Sequence, residues 1–114
     1  GDHDSLFSVT ALQTRLFDSK GNAINHNPDE LIPTQELPPV YEENSNIYIF
    51  TEASFRKRNH RIGTKPLMFP INRGEAVDID ELLDFQLAET LMRALIDLAI
   101  DLAAIWVDGC RKHL

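Results

Sequence analysis

The sequence predicts an α/β fold: a short mixed sheet followed by one long C-terminal helix. Three observations carry this expectation. Runs rich in β-branched and aromatic residues, "SLFSVTALQTRLF" (5–17), "NIYIF" (46–50) and "KPLMFPI" (65–71), are separated by stretches holding Gly, Pro and Asn, as strands are. From Glu81 the apolar spacing changes to three and four and stays so to about Val107, the period of a helix. The composition, 43% hydrophobic and 25% charged over 114 residues, is that of a single globular domain with a core.

The elements follow in order. The first strand is expected over 5–17, and "DSKGN" (18–22) turns the chain, with Gly21-Asn22 able to take positive φ cheaply. The segment 23–45 carries Pro28, Pro33, Pro38 and Pro39, which make it a poor helix. It is too long for a plain linker and reads as a functional or interface arm. "NIYIF" is expected to be a strand buried on at least one face, after which Thr51 caps a short helix, "EASFRKR". The strand 65–71 is closed by Asn72-Arg73-Gly74, and "AVDID" (76–80) reads as a third short β segment. In the helix 81–107, Leu83, Leu87, Leu91, Leu95, Leu98 and Leu102 form an unusually wide apolar face beside a polar stripe of Arg93, Asp97 and Asp101. Asp97 and Asp101 near its middle argue against a membrane span, so a sheet, a helix or a second copy of the chain should cover it.

Charge narrows the function. A net charge of −7 argues against general nucleic-acid binding, which needs a basic surface. One cysteine, Cys110, allows no internal disulfide, so a reducing, cytoplasmic setting is expected and the thiol reads as a bystander. No charged and apolar leader opens the chain, and Gly1, with a few residues after it, reads as a remnant foreign to the fold.

Three groups could carry chemistry. Asp78 and Asp80, two apart on a strand, would point to one face, with Ile79 packed into the core; two carboxylates there suit a hard cation such as Mg²⁺. The plainer alternative has Asp80 capping the helix and Asp78 solvated. Asn44, Ser45 and Tyr48 at a strand entry could bind the hydroxyls of a polar ligand, or simply make a turn. Arg56, Lys57, Arg58, Arg61, Lys65 and Arg73 fall in a block, 53–74, without any acid, which suits either an anion or a solvated face. His3, His26, His60 and His113 have no ligand-like spacing with Cys110, so zinc is not expected.

In this order "NHNPDELIPTQELPP", "PPVYEENSNIYIF", "HRIGTKPLMF" and "AVDIDELLDFQLAE", with "SLFSVTALQTRLF" before them, resemble the C-terminal half of the N-acylneuraminate cytidylyltransferases, over roughly residues 5–90. The resemblance implies part of a Rossmann-like three-layer nucleotidyltransferase fold, usually a homodimer, whose parent enzyme couples CTP to an acidic nine-carbon sugar and releases pyrophosphate. It implies Mg²⁺ at Asp78 and Asp80, a sugar pocket lined by Asn44, Ser45 and Tyr48, and a second subunit against the Pro-rich arm. No Gly- and Arg-rich phosphate loop of the family occurs in these residues, Pro33 stands where the family has Arg, and Glu81-Leu82 replaces Thr-Glu. The expectation is therefore a C-terminal portion, inactive alone. The alternative is a non-catalytic oligomerisation or interaction module derived from that fold, which the wide helix favours.

Overall fold

The computed structural model describes residues 1–112, and the chain divides into two compact units, Gly1–Ala76 and a second that starts at Val77. The first holds strands β1 (Ser5–Leu12), β2 (Val40–Phe50) and β3 (Pro66–Pro70) and helix α1 (Glu52–Arg58); the second holds helix α2 (Leu82–Lys112). Among the described residues the sheet has the order β2-β1-β3. β1 runs antiparallel to β2, Ser5 pairing with Phe50 and Leu12 with Val40, and parallel to β3, Ser5 pairing with Pro66 and Val9 with Pro70. The sheet is therefore mixed, as expected. Pro66 and Pro70 sit on an edge strand, where a missing N–H does least harm.

The first strand stops at Leu12 rather than continuing to Phe17. Its partner β2 begins at Val40, immediately after Pro38 and Pro39, which have no N–H to extend the ladder. Beyond Leu12 the chain is held by side chains instead. The Gln13 amide donates to the carbonyls of Gln35 (2.9 Å) and Leu37 (3.1 Å), and Asn25 accepts from Leu16 N (2.8 Å) and donates to Thr14 O (2.7 Å). The turn 18–22 forms as read, with Gly21 at φ 84°. Asn22 takes no positive φ; it and Lys20 donate their N–H groups to the Asp18 carboxylate at 2.8 and 2.9 Å.

The arm ends earlier than expected, because residues 40–45 already belong to β2. Its Thr34–Glu36 turn is a single 3-10 turn that carries Leu37 inward. The apolar core among the described residues is small: Val9, 1% exposed, and Leu37, 7%. Ser5, Ser8, Thr10 and Ser54 are buried with them. The expectation of a buried "NIYIF" strand fails: Ile47, Ile49 and Phe50 are exposed, because β2 is an edge strand with little apolar material over it.

Thr51 caps α1 as predicted, accepting from Ser54 N at 3.1 Å, while Asn59 closes the helix in the left-handed region at φ 51°. Phe55 of α1 stacks on Phe50 of β2 with ring centroids 5.4 Å apart. The turn after β3 also forms as read, with Asn72 Oδ1 accepting from Gly74 N at 2.7 Å.

Two expectations near the second unit are overturned. "AVDID" is no strand, and Ile79 is exposed rather than in the core. Asp78 accepts from the next residue's amide, Ile79 N, at 3.0 Å, a local bond that competes with a sheet ladder. Nor does Asp80 cap the helix. Asp84, in the first turn, reaches back to Glu81 N (2.9 Å) and Asp80 N (3.2 Å), the returning half of a capping box. α2 itself runs past 107 to Lys112, and no residue of it is buried.

Candidate functional site

The site begins in a register error of β1 and β2. Phe7 pairs with Tyr48 but Val9 pairs with Glu43, so Ser8 alone faces the four residues Asn44–Ile47. The surplus is looped out through Ser45, held at φ 60°. A looped-out stretch loses ladder bonds, and side chains supply them. Ser8 Oγ accepts from Ile47 N at 2.8 Å and donates to Asn44 Oδ1 at 2.5 Å; Asn44 Nδ2 donates to Thr10 Oγ1 at 3.0 Å. Ser8 and Thr10, two apart on β1, point to one face and grip the bulge from below. Among the described residues no buried side-chain polar atom lacks a partner.

The bulge gathers the three predicted sugar-side residues. Asn44 is half-buried and both ends of its amide are engaged, so its first task is to hold the bulge. Ser45 and Tyr48 stand on the outer side. The Tyr48 hydroxyl donates to the Glu43 carboxylate and lies 3.1 Å from Ser45 Oγ. Arg61 of the basic block lies over the Tyr48 ring, 4.0 Å from its centroid, with its guanidinium 4.0 Å from the Glu43 carboxylate. An exposed cluster of a phenol, a hydroxyl, a carboxylate and a guanidinium results, able to meet hydroxyls and a carboxylate together.

The rest of the basic block is divided. Arg56 pairs with Glu52 on the same helix at 2.5 Å, an exposed pair, and Arg58 donates to Gly63 O at 2.6 Å. The two guanidiniums thus turn to separate partners rather than to one anion site.

Sequence reading missed a second constellation, at Asp4. Its carboxylate accepts from Thr64 N (2.8 Å), Thr64 Oγ1 (2.9 Å), Lys65 N (3.0 Å) and Ser5 Oγ (3.1 Å). Desolvation alone would raise its pKa; the donors from Lys65, Thr64 and Ser5 outweigh it together and lower it to about 2. Gly63 packs against this carboxylate so closely that a Cβ there would stand 2.3 Å from Asp4 Oδ1. Asp4 lies in the stretch read as foreign to the fold, yet it ties the start of β1 to the loop before β3. An Asp and a Gly about sixty residues apart carry no joint signal in one sequence.

The implied Mg²⁺ pair, Asp78 and Asp80, belongs to the second unit and to an irregular stretch. Their hard carboxylate oxygens suit the ion. Among the described residues, however, no group of three or more His, Cys, Asp or Glu is placed to hold a metal, so the pair would rely on water or a ligand for the other positions. His113 lies outside the described residues. Cys110 is exposed on α2. A groove of about 280 Å³ in the first unit is lined by His3, Leu6, Ile49, Phe50 and Leu67 among others, and none of the predicted site residues borders it. Among the described residues no helix is long and apolar enough to cross a membrane.

Compared with known proteins, the chain matches no family model and no curated sequence.

Proposed function

We propose that the chain is the sugar-side portion of a cytidylyltransferase of the N-acylneuraminate type, with the Rossmann-like parent fold that this implies. The single observation that carries the reading is the β2 bulge. It sets Ser45 and Tyr48 outward beside Glu43 and Arg61, on a strand whose motif order resembles that family. The ligand is then a polyhydroxylated acid. Arg61 takes its carboxylate, Tyr48 and Ser45 its hydroxyls, and Asn44 keeps the bulge in shape from inside. Asp78 and Asp80 would hold Mg²⁺, which when bound neutralises phosphate charge during attack by the sugar hydroxyl. Triphosphate needs backbone amides and cations from a phosphate loop that these residues do not contain, so the chain by itself binds the sugar and does not turn over.

Calorimetric titration of N-acetylneuraminate into the chain tests this. Binding should occur and should weaken roughly ten- to a hundredfold in Arg61→Ala, since a charged hydrogen-bonded pair is worth about 1.5–3 kcal/mol. Asp78→Ala with Asp80→Ala should leave it unchanged while removing any Mg²⁺-dependent affinity for CTP. Absence of sugar binding up to millimolar concentration would end the reading.

A second reading, an oligomerisation module, is favoured by one observation: α2 exposes Leu95, Leu98, Leu102, Ile105 and Trp106, each by more than half.

A further inference from the structure

Ala88, Leu91, Leu95, Leu98, Leu102 and Ile105 recur along α2 at alternating steps of three and four, the spacing of a seam between paired helices. Glu89, Arg93 and Asp97 lie on the other side, where Arg93 and Glu89 pair at 2.8 Å. Charge is polarised along the axis. Asp78, Asp80, Glu81 and Asp84 crowd the start, and Arg111 and Lys112 close the end. Lys112 has one weak partner in its own helix, Asp108 at 3.4 Å, and both side chains remain well exposed.

The geometry points to a second copy of this chain as the occupant of the seam, with the two α2 helices antiparallel. This rests on the oligomerisation reading above and names its orientation and register. A parallel pair would stack the four head acids on their own copies and the two tail bases on theirs. An antiparallel pair sets each acidic head against the other's basic tail and opposes the two helix dipoles. One register also satisfies packing. Leu95 meets Leu98 of the second copy, Leu91 meets Leu102, and small Ala88 meets Ile105. The flanking residues agree with it, Met92 falling beside Ala99 and Phe85 beside Trp106 of the second copy. That register brings Glu81 level with Lys112 of the second copy. The contact lies largely beyond the stretch that resembles the cytidylyltransferases, so it is independent of the sugar-side reading.

Sedimentation of the chain from micromolar to near-millimolar concentration should show a dimer, and Leu98→Glu should reduce it to monomer. In a Cys110→Ser background, mixed Leu91→Cys and Leu102→Cys chains should form a disulfide readily on oxidation. Leu91→Cys alone should not, because its own copy is roughly 16 Å away along the axis, beyond disulfide reach. Glu81→Lys should weaken the dimer about fivefold at low salt, and adding Lys112→Glu should restore it. Three results would overturn the proposal. The chain could remain monomeric throughout, as it would if its own sheet covered the seam; Leu98→Glu could leave the mass unchanged; or Leu91→Cys could cross-link to itself, the mark of a parallel pair. Sugar titration has no bearing on any of them.

Discussion

Strand β1, 8 residues long, buries Ser5, Ser8, Val9 and Thr10, whereas helix α2, 31 residues long, buries none. The buried set of β1 is mostly hydroxyls, and the large apolar side chains that α2 exposes are mostly leucines and isoleucines. This inverts the usual partition of residues between interior and surface. It separates two ways of holding a chain together. Around β1 directed polar bonds dominate: Ser8, Thr10 and Asn44 bond one another, and Asp4 accepts four bonds around Gly63. Each bond of the Ser8–Thr10–Asn44 set contributes only about 1 kcal/mol net, but leaving a buried member of it unpaired costs about 1–3 kcal/mol. In α2 the backbone is held by bonds within the helix, and its exposed apolar area is what the proposed association would cover.

The polar anchoring of β1 is most vulnerable at Gly63. Gly63→Ala forces a methyl onto the Asp4 carboxylate and should cost about 1–3 kcal/mol through overpacking, with loss of the Asp4 bonds adding to it. Urea unfolding measures this, and an unchanged midpoint would mean that the Asp4 anchor does not hold β1.

Ser8→Ala comes next. It removes the acceptor of Ile47 N and one partner of Asn44 and should cost about 1–3 kcal/mol. The heat of sugar binding should fall too, since the bulge that presents Tyr48 would relax. Lower stability with binding intact would separate the bulge from the candidate site.

The smallest effect is expected from pH. The folded pKa of Asp4 is lowered from 3.8 to about 2, so its contribution is fully present above the unfolded value and is lost as pH falls from about 4 to about 2. Between pH 5 and 2 the unfolding midpoint should therefore fall more steeply in the wild type than in Asp4→Asn. Parallel curves would place Asp4 outside the structure that holds the sheet.

Legibility differed between these regions for a physical reason. α2, the Thr51 cap, the Gly21 turn and the Asn72 turn were all readable, because each rests on residues within a few positions of one another. The strands were found but their ends were not. β1 ends where Pro38 and Pro39 end its partner, and β2 starts at Val40 because the Asn44–Ser45 irregularity is a bulge and not a boundary. "AVDID" alternates like a strand, yet Asp78 spends its carboxylate on Ile79 N. Of the candidate site, Asn44, Ser45 and Tyr48 were legible as a group. Arg61 was legible only as one cation in a block. Nothing in the sequence says that α1 returns it to the face of Tyr48.

By itself the sequence determined the α/β class, the turns, the cap on α1 and the long apolar helix, since these follow from local periodicity and backbone chemistry. Tertiary structure alone decided which polar side chains are structural. Ser8 and Thr10 look like ordinary strand residues until the register slips against Asn44. Asp4 looks like part of a loose end until Gly63 and Thr64 close on it. Both depend on pairs separated by some thirty-five to sixty residues, and hydrogen bonding at that range is set by how the strands come together, not by what stands next to each residue in the chain.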